Sequence, residues 1–413
     1  MTNLVYWIWF ASVKIKYSAK RLLLDRFGDP KGVYFASVGD LKNIEGITEK
    51  ELAALGEKDL AFAERTVTRC AQEDVRIMTL QDAEYPERLR YISDPPCVLY
   101  IKGRLPSLDS SVSIAVVGTR EATPYGSKMS NHIGYELANC GAIVVTGLAA
   151  GCDSEAAKGA LLAQGKVIGV LGTAINEVYP SWNKPLFDDV QAVGALVSEY
   201  PPDYPGHPSY FRERNRIIAG LSLATVVTQA PLRSGALITA SRALDYGRDV
   251  FAVPANADAK EHAGSNNLLR EGARIAENGW DILSNYEDAY PGAIWRDGAR
   301  KIPEELEIPQ LVSESEEKRP EKQKRNFLKF RVPVRAKAEP QPQNLREQLS
   351  NLSENQLKIV AVMTKPDMHI DDIIDLSGLP ASTVLSEMTL MQMKRVVTQE
   401  AGKRFTLNIS KRG

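Results

Sequence analysis

Cysteine, histidine and long apolar runs are scarce in this chain of 413 residues. The four cysteines include no CxxC pair, which excludes a disulfide framework and a cysteine-rich zinc site; they are Cys70, Cys97, Cys140 and Cys152. We therefore expect free thiols in a cytoplasmic protein. The histidines lie apart, and no metal site is predicted; they are His132, His207, His262 and His369.

Neither a long apolar segment nor an excess of charge of one sign is present. The apolar run Leu4–Val13 is shorter than the ~20 residues of a membrane helix and has no basic segment before it, so it predicts a buried helix. Lysine and arginine number 51, aspartate and glutamate 52, and the net charge is −1. This balance excludes a protein that coats nucleic acid by bulk positive charge, but leaves room for a local cationic site.

Composition and periodicity divide the chain into four predicted regions. Residues 1–105 have apolar residues at helical spacing, broken by glycines, and predict a small helical domain of SAM-like or helix-hairpin-helix type. Residues 106–295 alternate apolar, β-rich runs with helical stretches, which predicts an α/β domain with a doubly wound, mostly parallel sheet. Residues 296–350 carry mixed charge blocks and prolines and predict a flexible linker.

Residues 351–413 predict a winged helix. Ser353 with Gln356 three residues later is a capping-box pattern, and further helices are expected over 370–376 and 382–393 before a hairpin. The third helix contains no lysine or arginine, although a helix that reads the major groove normally carries basic residues. Contact with a protein or with the DNA backbone is therefore the favoured role.

In the first region, the segment 43–47 has the hydrophobic-glycine-hydrophobic form of a helix-hairpin-helix turn. Such a turn can bind a phosphate through amides at a helix N-terminus. A simple packing turn explains the same residues equally well.

Small residues follow several predicted strands of the α/β domain, where open sheets bind ligands. Gly118-Thr119-Arg120, Gly147 and Ser234-Gly235 stand at such places and would let backbone amides approach a phosphate. None of these loops matches a G-x-G-x-x-G or P-loop pattern, so no nucleotide cofactor is predicted. Any single glycine here also serves as an ordinary tight turn.

Basic residues concentrate in the same domain. Arg212, Arg214 and Arg216 lie on one predicted helix, where the first and third share a face and the second points elsewhere. Lys184 and Phe187 are neighbours on another helix and could supply a phosphate contact and a base-stacking ring. Core packing explains Phe187 equally well.

Catalytic groups are few. Asp153 and Glu199 could act in acid–base chemistry, but a helix cap and an arginine-paired carboxylate are the favoured interpretations. Ser234 has no assignable base and is interpreted as a helix N-cap. We therefore predict no catalytic residue.

Several motifs together resemble the DNA-processing protein A (DprA/Smf) family. They are Val117–Arg120, Val178–Pro180, Ser198–Pro201, Arg214–Ser222, Ser234–Ala240 and Gly247–Pro254. The resemblance implies an extended Rossmann-like core that binds single-stranded DNA, forms a homodimer and helps to load RecA recombinase during natural transformation, with no cofactor and no catalysis. Carried over by position, the DNA-binding residues are Gly118, Thr119, Arg120, Gly147, Lys184, Phe187, Arg214, Asn215, Arg216, Ser234 and Gly235.

Two other functions compete with this interpretation. A nucleoside-monophosphate phosphoribohydrolase would share the phosphate loops, but its P-G-G-x-G-T-x-x-E loop is absent from the sequence. A dimeric scaffold that senses a nucleotide is the third possibility. The chain also departs from the family pattern at Ala150, Ala157 and Gln229, where arginine, histidine and glutamate are common.

Overall fold

The computed structural model describes residues 3–296, 353–363 and 368–380, with shorter stretches at 383–384, 387–388, 391, 396–400 and 404–407. The chain divides into two compact units, Met1–Gln310 and Leu311–Gly413. The linker predicted over 296–350 lies outside the described residues apart from Arg296. The domain boundaries proposed from composition stay predictions.

The first unit opens with short helices, as the glycine-broken periodicity predicts. They are α1 (Asn3–Ser12), α2 (Tyr17–Phe27), α3 (Pro30–Phe35), α4 (Val38–Lys42), α5 (Glu49–Gly56) and α6 (Ala61–Gln72). Gly28, at a φ of 82°, ends α2 in a conformation that favours glycine. Asp29 accepts a hydrogen bond from the Gly32 amide at 2.7 Å and caps α3, whose first residue is Pro30. Local capping therefore determines where these helices begin and end.

The strands of the first unit form one sheet. They are β1 (Arg76–Thr79), β2 (Val98–Gly103), β3 (Ser113–Val117), β4 (Ile143–Thr146), β5 (Val167–Ala174), β6 (Ala195–Tyr200), β7 (Ala224–Val227), β8 (Asp249–Ala252) and β9 (Arg274–Ile275). Their order is β1-β2-β6-β5-β4-β3-β7-β8-β9. Neighbours from β6 to β9 are parallel, whereas β1 and β2 form an antiparallel edge. The mostly parallel sheet is confirmed, and its antiparallel edge comes from a segment that the sequence predicts as mostly helical.

Helices cover both faces of this sheet. They are α7 (Glu87–Arg90), α8 (Pro124–Asn139), α9 (Cys152–Leu162), α10 (Lys184–Val193), α11 (Tyr210–Gly220), α12 (Gly235–Asp245), α13 (Ala263–Arg270) and α14 (Gly279–Leu283). Every residue of β3 is buried; Ile114 and Val116 belong to one apolar cluster, and Ala115 and Val117 to another. Because successive side chains of a strand point to opposite faces, the two clusters are the two sides of a doubly wound sheet.

The second unit has the arrangement of a winged helix. Its described elements are α15 (Glu354–Val362), β10 (Met368–His369), α16 (Ile370–Ser377), β11 (Val397–Glu400) and β12 (Arg404–Leu407). The strands form an antiparallel sheet in the order β10-β12-β11, and Ile359, Ile373 and Phe405 lie in its core. The capping box of Ser353 and Gln356 is present as predicted. The third helix predicted over 382–393 and the hairpin tip at 401–403 lie wholly or largely outside the described residues.

Within the described parts of the chain, no helix has the length and apolar character needed to cross a bilayer. The apolar run near the N-terminus is instead a buried helix, as predicted, with Trp7 and Phe10 in the same apolar cluster as Ile114 and Val116 of the sheet. The N-terminal helices and the sheet thus share one core.

A buried ionic contact also joins the N-terminal helices to the sheet. Arg216 of α11 is only 2% exposed, and its Nη2 lies 2.5 Å from Glu199 Oε2 and 2.5 Å from the Tyr17 hydroxyl. Burial acts to lower the pKa of Arg216, but the negative charges of Glu199 and Asp94 and the hydrogen bond to the Tyr17 hydroxyl outweigh it and raise that pKa. The guanidinium is therefore held as a cation inside the protein, between α2, β6 and α11.

We expect Glu199→Gln to lower the free energy of unfolding by about 3 kcal/mol, because it removes the carboxylate nearest to the buried Arg216 cation and leaves only the more distant Asp94. Urea denaturation measures the change. Asp188→Asn is the control, because it breaks the exposed pair between Asp188 and Lys184 and should leave the unfolding free energy nearly unchanged. Equal losses in the two variants would contradict a stabilising role for the buried pair.

Candidate nucleic-acid interface

A cleft of about 770 Å³ opens at the sheet edge where the parallel strands end. Loops after β3, β4, β5 and β7 form its walls together with the first turns of α11 and α12. This is the edge at which open α/β sheets bind ligands. The predicted site residues that line it are Gly118, Thr119, Arg120, Arg214, Asn215, Ser234 and Gly235.

The glycines of these loops differ in whether close packing inside the protein requires them. A Cβ added to Gly118 would lie 2.5 Å from Cys152 Cβ, and one added to Gly147 would lie 2.5 Å from Arg214 Nη2. Close packing inside the protein therefore requires both glycines. Gly235 is different, since nothing lies within 4 Å of a Cβ added there. Of these three glycines, Gly235 alone presents open space to a ligand.

Asp153 holds two of the loops together. Its carboxylate accepts hydrogen bonds from the Gly118 amide at 3.2 Å and the Gly147 amide at 3.0 Å, so the ends of β3 and β4 meet at one side chain. Burial raises the pKa of Asp153, while the Arg214 charge and these amides act in the opposite direction. The helix cap predicted for Asp153 is wrong, because Gly151 is the N-cap residue of α9 and the Asp153 carboxylate bonds to strand-end amides instead.

Arg214 lies under the cleft and bonds to its floor. The side chain is buried, and its Nη1 donates to the Gly147 carbonyl at 2.9 Å and to the Val170 carbonyl. Burial lowers the pKa of Arg214 to about 10, and the charge of Asp153 opposes that change. Arg214 therefore links the end of β4 to β5. Its hydrogen bonds to these two carbonyls use N–H donors that the sequence analysis expects to contact a phosphate of DNA.

The remaining arginines of α11 do not share an environment, although helical spacing places Arg212 and Arg216 on one face. Arg212 is exposed and lines the cleft, whereas Arg216 is buried against Glu199. Asn215 lines the cleft, and its Nδ2 donates to the Gly235 carbonyl at 3.1 Å. The structure thus brings Arg212 and Asn215 to the site and places Arg216 elsewhere.

Lys184 and Phe187 also separate in the structure. Lys184 is exposed at the start of α10 and forms an ion pair with Asp188 at 2.5 Å. Phe187 is 2% exposed and packs in the core, which is the alternative that sequence reasoning leaves open for it. A base cannot stack on this ring while the core is intact, so the structure brings only Lys184 of this pair to the surface.

Sequence reasoning omits two exposed cations from the site. Arg212 and Arg233 both line the cleft with Arg120, and all three are exposed. Arg233 stands directly before Ser234, the N-cap residue of α12. This position next to a predicted helix start is the signal that could have placed Arg233 in the site. Glu121 and Glu177 also line the cleft, so the cleft carries both negative and positive side chains. An anion would therefore bind beside individual arginines and not throughout the cleft.

The predicted helix-hairpin-helix turn does not present a free helix N-terminus. Thr48 caps α5, and the Glu51 carboxylate accepts hydrogen bonds from the amides of Thr48 at 3.0 Å and Lys16 at 3.1 Å. The Thr48 hydroxyl in turn accepts a hydrogen bond from the Glu51 amide at 3.3 Å, so side chains of the protein itself cap this helix start. The packing turn is the interpretation that agrees with these contacts.

The sequence departure at Gln229 has a local structural role. The side chain is buried, and its Oε1 accepts hydrogen bonds from the Thr123 amide at 3.0 Å and the Thr123 hydroxyl at 3.1 Å. Ser234 caps α12 by accepting a bond from the Ala236 amide at 3.3 Å, as predicted. Gln229 therefore orders the start of α8, and Ser234 orders the start of α12, which lines the cleft.

We expect Arg214→Ala to lower the free energy of unfolding by about 3 kcal/mol, because two carbonyls of the cleft floor lose a charged donor. Arg212→Ala is the matched control on the same helix and should shift it by less than about 0.5 kcal/mol, as for other exposed positions. Thermal melts of both variants measure the difference. If Arg214→Ala melts like the control, Arg214 does not hold the floor.

Comparisons with known proteins agree with this architecture. The family described as DNA recombination-mediator protein A matches residues 76–287, and the DprA winged helix domain matches residues 338–403. Protein Smf of Synechocystis is 31% identical over 408 residues, covering 97% of this chain and 98% of the relative. DNA processing protein DprA of Streptococcus pneumoniae is 36% identical over 250 residues, covering 60% of this chain and 87% of the relative.

A solved structure gives the same result. The X-ray structure of DprA from Streptococcus pneumoniae superposes with a TM-score of 0.60 at 31% identity, covering 69% of this chain and 98% of that chain. The predicted combination of a mostly parallel α/β sheet and a C-terminal winged helix is thereby confirmed. The chain belongs to the DNA recombination-mediator protein A family, known as DprA or Smf.

Proposed function

We propose that this protein is a cytoplasmic, non-catalytic DNA-processing protein that binds single-stranded DNA in the cleft. The observation that carries the proposal is the set of three exposed arginines on the cleft walls, Arg120, Arg212 and Arg233. They lie at the sheet edge where ligands of α/β folds bind. Arginine is well suited to phosphate, because its planar group can donate two parallel hydrogen bonds.

The start of α12 supports a phosphate position beside Arg233. Ser234 caps the helix, Gly235 is exposed with open space around it, and the positive end of the helix dipole faces the cleft. A phosphate here would meet a guanidinium from one side and backbone amides from the other. Asn215, which bonds to the Gly235 carbonyl, holds this turn in place.

The size of the cleft favours a single strand. About 770 Å³ is within the range of pockets that enclose small molecules, and it cannot enclose a duplex. Lys184 at the surface beyond the cleft would extend the phosphate contacts along a strand. Gly118, Thr119 and Gly147 contribute to this proposal as the frame of the cleft, and Arg214 as its floor.

We extend the proposal to partners that the family resemblance implies. The protein would form a homodimer, protect incoming single-stranded DNA and help to load RecA recombinase during natural transformation. The names of its relatives, DNA processing protein DprA among them, support a role in DNA processing. No single residue is assigned to the RecA contact.

We expect the protein to bind oligo(dT) more tightly than a duplex of equal length, with affinity falling steeply as salt rises because phosphate contacts release counterions. Arg233→Ala should weaken binding and reduce the salt slope by about 0.7 for each lost phosphate contact. Fluorescence anisotropy at several salt concentrations measures both quantities.

Arg65→Ala, which removes an exposed arginine of α6, is the matched control and should leave affinity and slope unchanged. Equal affinity for duplex and single strand, or no binding of either, would overturn the proposal. Release of a free base from a nucleoside monophosphate would instead support the phosphoribohydrolase alternative. Binding of a mononucleotide without binding of oligo(dT) would support the nucleotide-sensing scaffold.

The RecA proposal has its own measurement. Adding the protein to RecA and oligo(dT) coated with single-strand binding protein should shorten the lag before ATP hydrolysis by RecA, and Arg233→Ala should lengthen it again. An unchanged lag with the unaltered protein would refute RecA loading while leaving DNA binding intact. Sedimentation of the free protein as a monomer would refute the dimer.

A further inference from the structure

The cleft has an aromatic wall as well as a cationic one. Phe211 and Tyr179 both line it, and their ring centroids are 5.3 Å apart. The Arg120 guanidinium carbon lies 5.1 Å from the Phe211 ring centroid. A cation therefore sits against one ring while a second ring, that of Tyr179, remains 48% exposed beside it.

Packing from below fixes the position of this wall. A Cβ added to Gly172 would lie 2.8 Å from Phe211 Cδ1, so the ring is pressed against the backbone at the end of β5. Phe211 is partly buried, and its rotation is restricted by that contact. A ring that is already ordered loses little conformational entropy when a ligand stacks on the wall.

A second exposed ring follows three residues after Tyr179. Trp182 is 74% exposed, whereas tryptophan is on average a well-buried residue. It lies in a single 3-10 turn, Ser181–Asn183, whose last residue donates to the Leu148 carbonyl at 3.3 Å and to Ser154 Oγ at 2.7 Å. These bonds attach the turn to the loop after β4, which borders the cleft. Trp182 is thus presented to solvent from an anchored segment.

We propose that Tyr179 and Trp182 are base-stacking residues, which hold unpaired bases of the bound strand while the arginines hold its phosphates. The proposal rests on the proposed binding of single-stranded DNA and adds the chemical group that is recognised. Bases in a duplex are already stacked and paired, so this wall selects strands whose bases are free. It also replaces Phe187, whose buried ring cannot take this role.

Cationic and aromatic residues occur together in this part of the protein. Arg233, Gly235, Tyr179 and Phe211 line one cleft, and Trp182 and Lys184 are exposed three and five residues after Tyr179 in the chain. Alternating cationic and aromatic groups match the alternation of phosphate and base along a single strand.

The test compares two probes of equal length and charge, oligo(dT) and an oligomer in which every nucleotide is abasic. We expect Tyr179→Ala and Trp182→Ala each to weaken binding of oligo(dT) by about 5- to 100-fold, the usual effect of removing a stacking ring. Binding of the abasic oligomer should change by less than about twofold. Tyr179→Phe and Trp182→Phe keep a ring and should retain most of the affinity for oligo(dT).

Tyr91→Ala is the matched control, because Tyr91 is 77% exposed and does not line the cleft. Melting curves of all variants should coincide with that of the unaltered protein, because the substituted rings are exposed. Unchanged affinity of Tyr179→Ala and Trp182→Ala for oligo(dT), with Arg233→Ala weakened, would overturn the stacking role alone. Failure of the unaltered protein to bind oligo(dT) would overturn the proposed function and the stacking role together. Equal losses on both probes would show that the rings act through the phosphate site and would also overturn the proposal.

Discussion

The buried guanidinium of Arg214 determines the shape of the cleft. It bonds to carbonyls at the end of β4 and within β5, and the nearby Asp153 carboxylate bonds to amides at the ends of β3 and β4. Three strands are thus tied by two side chains of opposite charge that are both removed from water, β3 and β4 at their ends and β5 at Val170. Unpaired, either charge would carry a large desolvation penalty, so each requires its set of partners. The absence of a side chain at Gly147 is the steric consequence of that arrangement, because a Cβ there would meet the Arg214 guanidinium.

The arginines of this domain divide according to burial. Arg214 and Arg216 are enclosed, and each donates hydrogen bonds to protein oxygens, those of Arg216 joining the N-terminal helices to the sheet. Arg120, Arg212 and Arg233 are exposed around the same cleft and keep their charges accessible. On α11, exposed Arg212 and buried Arg214 and Arg216 lie within four residues of one another in the chain. A net charge of −1 is compatible with this arrangement, because only a few arginines are gathered around the cleft.

Several features of this fold follow from local sequence. Continuous apolar runs predict the buried parallel strands, and caps such as Asp29 and Ser353 mark helix starts that the structure contains. The strand β2 is not foreseen, because its run is short and pairs with β6, which is nearly a hundred residues away in sequence. Helical spacing also fails for Arg216. It states which residues share a face, but not which part of that face another segment covers.

The sequence by itself determined the fold class, the positions of the phosphate-sized loops at strand ends and the concentration of arginines near them. These depend on periodicity, capping and small residues, which act over a few positions. Only the tertiary structure decided which cations reach solvent and which rings are exposed. Phe187 became part of the core, while Tyr179 and Trp182 were left at the surface. The reason is physical: burial depends on contacts between segments far apart in sequence, such as the approach of Tyr17 to Arg216, and no local pattern encodes those contacts.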